Sequence, residues 1–148
     1  MSKDAVDRFA DRLGYTQKER ELFQEGGHRV RQVRRMAEAA PRFSILAEVI
    51  ESRNCNSGHT EGQKLLMDID GNFITKHCPK KLCVYLVSQL TIPVALINER
   101  INEGLDPNHF HFMRQVSCLD VGVECMGYGQ VMVKVSVVPR DNPLTATI

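Results

Sequence analysis

The chain has 148 residues, of which 43% are hydrophobic and 25% charged, and its formal net charge at pH 7 is +1. These values are typical of a globular domain with a sizeable core and argue against a disordered chain. The charge is too balanced for a protein whose main partner is bulk nucleic acid or an anionic membrane. Because we find neither a signal peptide nor an apolar run long enough to span a membrane, we expect a cytoplasmic protein.

The beginning of the chain predicts an N-terminal helical extension over residues 1–41. Apolar residues recur at helical spacing within Val6–Leu13, and Gly14 is placed to end that helix. Thr16 and Glu19 have the spacing of a capping box, in which the hydroxyl and the carboxylate each accept an amide of the first helical turn. A short second helix is therefore expected after Thr16.

A third predicted helix, from about Arg29 to Ala40, has one strongly basic face. Four arginines lie on it against a single acid, Glu38: Arg29, Arg31, Arg34 and Arg35. The face is interpreted as a solvated or partner-facing side, with a site for phosphate or another acidic ligand as the alternative. Nucleic acid is not expected, because no aromatic interleaving or known motif accompanies the charge. We expect these N-terminal helices to dock a protein partner or a second copy of the chain.

The remaining chain predicts an α+β core domain at residues 42–140, followed by a loosely packed C-terminal tail at residues 141–148. Helical patterns follow the third strand, and Cys78-Pro79 is expected to open the first of them, since Pro is tolerated at that position. The fold predicted is an antiparallel sheet of about five strands with helices on one side, preceded by the helical extension. The strands are expected at Phe43–Glu51, Lys64–Asp70, Asn72–Lys76, Phe112–Cys118 and Val131–Val137.

The five cysteines are the most informative residues for function. Their odd number and the absence of a secretory signal argue against a disulfide framework, so each is a core residue, a metal ligand or a nucleophile. Cys83 is expected in the core, because it lies beside Leu82 and Tyr85 in an apolar helical pattern. Cys78 is expected at a helix start, where the helix dipole favours the thiolate.

The best candidate metal ligands are Cys55, His59, Cys78 and Cys118, and zinc is the metal they would suit. Their spacing does not form two close cysteine pairs, so the absence of any metal stays open. An iron–sulfur cluster on Cys55, Cys78, Cys118 and Cys125 is a further alternative, although the spacings match no standard ferredoxin pattern.

Nucleophilic catalysis is a separate hypothesis. Cys118 has Asp120 close by in the sequence, and His59, His109 or His111 could serve as its base. Histidines at a surface or a core edge are the competing interpretation. No phosphate-binding glycine loop, dinucleotide motif or zinc-protease motif is present.

Three separated motifs, found in order between Ile45 and Val138, resemble a small family met mostly in anaerobic bacteria and archaea. They read Cys55-Asn56-Ser57-Gly58-His59-Thr60-Glu61-Gly62, then Cys78-Pro79, then Cys118-Leu119-Asp120. The chain departs from the family at Gln63, where an acid is common, and at Leu119, where Pro is common. The helical extension and the insertion around Cys125 are additional. The resemblance draws attention to the cysteine motifs but implies no established activity.

These observations predict an accessory protein or small subunit of a larger anaerobic enzyme system, and leave open whether that subunit binds a metal. A small stand-alone enzyme that uses a Cys/His or metal site is the alternative. A ligand-binding module without catalysis is the third hypothesis.

Overall fold

The computed structural model describes residues 2–145, which form an antiparallel sheet with helices packed on it and a helical extension before it. The helices and strands, in chain order, are α1 Ala5–Leu13, α2 Gln17–Glu25, α3 Gly27–Ala39, β1 Phe43–Arg53, β2 Lys64–Met67, α4 Val84–Val87, α5 Thr91–Asn102, β3 Gln115–Ser117 and β4 Gln130–Pro139. The α+β class and the N-terminal helices are thus confirmed. No helix among residues 2–145 is long and apolar enough to cross a membrane.

Local signals position the helices of the extension as predicted. Gly14 ends α1 in the left-handed conformation, φ 72°, and its amide donates to the last turn, which is the usual role of glycine at that position. Thr16 and Glu19 form the predicted capping box, with hydrogen bonds of 3.2 and 2.7 Å. Val6 and Phe23 are buried in a small apolar cluster of the extension.

The basic face of α3 is largely occupied by contacts within the chain. Arg31 donates to Asn102 Oδ1 at 3.2 Å and to the Glu103 carboxylate at 2.8 Å, at the end of α5. Arg34 pairs with Asp4 at 3.2 Å. Exposed pairs of this kind contribute about 0–1 kcal/mol each. The contacts of Arg31 therefore orient the extension on the core domain more than they stabilise it, while the Arg34–Asp4 pair lies within the extension. The expected docking of a partner by these helices stays a prediction.

The sheet contains four strands in the order β2-β1-β4-β3, and not the five that were predicted. The segment Asn72–Lys76 contributes a single bridge, between Met67 and Phe73, before a 3-10 turn. The carboxylate of Asp68 accepts the amides of Asp70 and Asn72 at 3.0 and 2.9 Å, which bends the chain and uses amides that a longer ladder would need.

The fourth predicted strand is shorter than expected. Pairing is confined to Gln115–Ser117, because Met113 has a positive φ of 57° that interrupts an extended chain. The long strands β1 and β4 form the centre of the sheet. Their alternating apolar residues pack against the helices and form the main hydrophobic core with them. Leu144 packs on the opposite face of the sheet, and its carbonyl accepts Lys64 Nζ at 2.7 Å. The C-terminal segment is therefore anchored up to this point; residues 146–148 of the predicted tail lie outside the described residues.

The helix expected at Cys78-Pro79 begins later, at Val84. The chain runs irregularly through residues 78–83, and Cys83 takes the N-cap position in an extended conformation. The physical reason is tertiary, because the backbone amide of Cys83 donates to a buried side chain, His59 Nε2, at 3.4 Å. This contact fixes the N-cap at Cys83, five residues beyond the cysteine that the sequence favoured.

Two buried oxygens at the junction of extension and core offer a test of the packing. Gln32 Oε1 and Asn98 Oδ1 have no hydrogen-bond partner among the described residues. Gln32→Met keeps the side-chain length and removes one of them. We expect the free energy of unfolding, measured with urea, to rise by about 1 kcal/mol, since an unpaired buried oxygen is destabilising by about 1–3 kcal/mol.

Gln24→Met, at an exposed position of α2, is the matched control and should leave stability unchanged. A loss of stability confined to Gln32→Met would mean that this oxygen has a partner in solution.

Candidate functional site

A cleft of about 640 Å³ lies where three connecting segments meet. One segment follows β1 (residues 54–59), one starts α4 (residues 83–86), and one runs from the end of β3 into the first residues of β4 (residues 118–131). Three cysteines line it, one from each segment: Cys55, Cys83 and Cys118. We call it the thiol cleft.

The first wall is the turn that follows β1. The carbonyl of Cys55 accepts the amide of Gly58 at 3.1 Å, which closes the turn. Gly58 has a φ of 78°, a conformation that a side chain disfavours, so the glycine of the first motif is required by the turn. The turn presents Cys55 and Ser57, both partly buried, to the cleft.

His59 is buried, with 3% of its surface exposed, and it joins the first wall to the second. Its Nδ1 lies 2.7 Å from Gln63 Oε1, an atom that can only accept, so Nδ1 carries the hydrogen. Its Nε2 then accepts the backbone amide of Cys83 at 3.4 Å. Both ring nitrogens are thus engaged within the protein.

Cys83 lies at the N-cap of α4, in a setting that favours its thiolate. Burial raises the pKa of the Cys83 thiol, but the Ser57 hydroxyl and the amides of Tyr85 and Leu86, which face the sulfur without closing a cap hydrogen bond, together bring the pKa below its ordinary value. The sequence assigned Cys83 to a core face, and the side chain is partly buried against the core, but it also lines the cleft. The one local signal against that assignment was the preceding pair Lys80-Lys81, which interrupts the apolar pattern.

The third wall is organised by Asp120. Its carboxylate accepts the amides of Gly122, Tyr128 and Gly129 at 3.1, 2.9 and 3.0 Å, and these bonds, with Tyr128 first, hold the pKa of Asp120 below its ordinary value of 3.8. Cys118 Sγ accepts the amide of Val131 at 3.3 Å. The late Cys-x-Asp motif therefore combines a cleft thiol with the residue that shapes its loop.

Gly129 is required by close packing between this loop and the first wall. A Cβ atom at Gly129 would lie 2.2 Å from the carbonyl oxygen of Asn54, well inside contact distance. The backbone of the loop thus rests directly on the segment that carries Cys55.

The remaining candidate residues lie elsewhere. Cys78 Sγ donates to the carbonyl of Leu66 at 3.4 Å, and burial raises the pKa of this thiol. Cys125, His109 and His111 are exposed and do not line the cleft. Three of the four predicted metal ligands, Cys55, His59 and Cys118, are brought to the thiol cleft, and Cys78 is replaced there by Cys83.

The metal itself stays a prediction. In the stretch from residue 2 to residue 145, no three Cys, His, Asp or Glu side chains form a group that could hold a metal ion as they stand. The thiols would have to rotate towards one another, which the single χ1 torsion of a partly buried cysteine permits. The same applies to the iron–sulfur alternative.

Comparison of the chain with protein-family models, with curated proteins and with solved structures gives no match. The family resemblance drawn from the three motifs therefore stays a prediction.

The reactivity of Cys83 can be measured directly. At pH 7 we expect iodoacetamide to modify Cys83 faster than Cys78, because the pKa is lowered at the first and raised at the second. Ser57→Ala should raise the pKa of Cys83 and slow its modification, leaving Cys78 unchanged. Mass spectrometry of the alkylated peptides across a pH series gives both rates.

Ser88→Ala makes the same change outside the cleft and should have no effect on either rate. An unchanged pH profile of Cys83 in Ser57→Ala would show that the hydroxyl does not stabilise the thiolate.

Asp120 gives the folded state a defined acid dependence. Since its folded pKa is below 3.8, its carboxylate stabilises the fold above pH 3.8, and this contribution is lost as the pH falls through the folded value. We expect Asp120→Asn to lower Tm at neutral pH, and the difference from the parent protein to narrow as the pH falls below 3.8. Thermal unfolding between pH 2.5 and pH 7, about the range over which Asp titrates, measures this.

Asp141→Asn, at an exposed site near the C-terminus, is the control. A Tm difference for Asp120→Asn that stays constant down to the lowest pH would contradict the assigned ionisation.

Proposed function

We propose that this protein is an accessory protein, or a small subunit of a larger anaerobic enzyme system, that binds a thiophilic ligand in the thiol cleft. The observation that carries the proposal is the gathering of Cys55, Cys83 and Cys118 from three separate segments onto one cleft. Thiolate sulfur is a soft donor that favours zinc and other soft metal centres. The anaerobic setting is supported by the motif resemblance and is one in which thiols stay reduced.

The size and lining of the cleft favour a ligand larger than a bare ion. About 640 Å³ lies within the usual range for small-molecule sites. Buried Leu86 and Val131 supply an apolar surface, while Asn56 and Gln130 supply amide groups beside the thiols. A metal complex, or a metal ion held together with a small organic ligand, would use both kinds of surface. Zinc is the metal that we propose, with an iron–sulfur cluster as the alternative.

The polar groups that line the cleft already make hydrogen bonds within the protein, which favours binding over catalysis. A nucleophilic cysteine needs a base within hydrogen-bonding reach. Of the described residues that line the cleft, His59 is the one imidazole and Asp120 the one carboxylate. Both ring nitrogens of His59 are engaged, and Asp120 accepts three backbone amides. A stand-alone enzyme would have to release one of these groups, so it is the weaker hypothesis.

Metal titration of single cysteine variants tests the proposal. The reduced chain, purified without oxygen, is titrated with Zn²⁺ against a chromophoric chelator and with Cd²⁺, whose thiolate complexes absorb in the ultraviolet. We expect Cys55→Ser, Cys83→Ser and Cys118→Ser each to weaken binding by about tenfold or more, since each removes a donor. Cys78→Ser is the matched control, and its affinity should equal that of the parent.

Two outcomes would contradict this expectation in different ways. Absence of Zn²⁺ and Cd²⁺ binding by the reduced chain would overturn the thiophilic site. Weakening by Cys78→Ser and not by Cys83→Ser would restore the ligand set predicted from the sequence, Cys55, His59, Cys78 and Cys118, in place of the thiol cleft.

A further inference from the structure

A group of large, solvent-exposed apolar side chains adjoins the thiol cleft through Tyr85 and Tyr128. It consists of Tyr85, Leu119, Val121, Val123, Met126 and Tyr128, whose exposed fractions lie between 55% and 94%. We call it the loop patch. Single exposed apolar residues are common on protein surfaces, but a group of them within one structural unit indicates an interaction site.

The loop patch is held in place by backbone contacts, so its side chains are presented together. Five of its residues belong to the segment folded around the Asp120 carboxylate, where Gly127 N also donates to Gly122 O at 2.7 Å. Tyr85 joins them because its carbonyl accepts the amide of Leu119 at 3.3 Å. The patch is therefore a fixed surface that spans the loop and the start of α4.

The area of the loop patch is large for a surface left in water. Its two tyrosines, at roughly 150–250 Å² for a fully exposed aromatic side chain, present about 300 Å², and the four aliphatic residues add to this. The largest apolar patch on a monomer is about 300–600 Å², whereas a standard interface buries about 800 Å² on each partner. The loop patch therefore lies at the upper end of the range for a monomer and supplies much of the area that one half of a dimer buries.

We propose that the loop patch is the contact between two copies of this chain, related by a two-fold axis. The charges around it suit a second copy. Exposed Glu124 lies within the loop, and exposed Lys80 and Lys81 lie five and four positions before Tyr85, so residues of both charge signs are close in the chain to residues of the patch. A two-fold contact brings the same surface of both copies together, and it allows each acid to meet the partner's lysines. The net charge of +1 adds little repulsion between copies.

Dimerisation through the loop patch closes the thiol cleft. Tyr85 and Tyr128 belong to the patch and also line the cleft, so a copy that covers them covers its mouth. The cleft of an isolated chain is then open on a side that the dimer seals. This contact does not rest on the proposed thiophilic ligand, because it requires only the apolar surface.

Analytical ultracentrifugation of the full chain over a concentration series, without added metal, tests the contact. We expect a mass of twice 16.7 kDa. Met126→Asp should raise the dimer Kd by about tenfold or more, because a charge would be buried against an apolar surface. The folded chain should accept this change, since Met126 is 94% exposed and Asp tolerates its positive φ of 71°. Leu105→Asp, at an exposed leucine outside the loop patch, is the control and should leave Kd unchanged.

The accessibility of the thiol cleft gives a second measurement of the dimer. Iodoacetamide should modify Cys83 more slowly in the dimer than in monomeric Met126→Asp, while Cys78, outside the cleft, keeps its rate. Val123→Lys, at a second position of the loop patch, should repeat the loss of dimer if Met126→Asp fails to fold by circular dichroism.

A chain that stays monomeric at about 1 mM, the range of weak association, would overturn the proposal and leave the loop patch to a different protein. A dimer that survives both loop variants would overturn it too, and would favour the N-terminal helices as the interface. Failure of metal binding with an intact dimer would reject the proposed function alone.

Discussion

The buried imidazole of His59 joins two parts of the chain that local structure alone would leave independent. It donates to Gln63 Oε1 beside the β1–β2 connection and accepts the Cys83 amide at the start of α4, 24 positions along the chain. Loss of either hydrogen bond would leave a buried imidazole nitrogen unpaired, which is destabilising by about 1–3 kcal/mol. The fold therefore favours keeping both hydrogen bonds at once. They fix where α4 begins and how far Cys83 lies from the turn that carries Cys55. The thiol cleft is the space beside this bridge.

The opposite side of the cleft depends on Asp120, a second side chain that is hydrogen-bonded within the protein. Its carboxylate collects three amides of one loop, and the loop then packs so closely on the β1 end that Gly129 cannot carry a side chain. The same folding exposes the apolar side chains of the loop patch. The Cys-x-Asp motif, the requirement for glycine at position 129 and the exposed apolar surface therefore have one common physical origin, the loop folded around the Asp120 carboxylate. Ligand binding in the cleft and contact at its mouth would be coupled through this loop.

Features set by near neighbours in the chain were predictable. Gly14 ends α1 because only a residue that tolerates positive φ fits there, and Thr16 with Glu19 caps α2 through groups three residues apart. The alternation in β4 reflects a buried face at every second residue, and it placed that strand. The fifth strand was wrong because the Asp68 side chain competes for amides that the pattern of apolar residues does not report.

The class of fold, the ends of the first helices and the three cysteine motifs could all be inferred from the amino-acid pattern. That Cys83, and not Cys78, lines the cleft became visible only in the folded chain. Both cysteines precede helix-compatible residues, so local pattern could not distinguish them. The choice depends on a hydrogen bond to His59 from a distant part of the chain and on the burial of Cys78 against Leu66. Likewise, Arg31 was predicted to lie on a solvated or partner-facing side of α3, and only the folded chain brings it to its partners Asn102 and Glu103, which are remote in sequence.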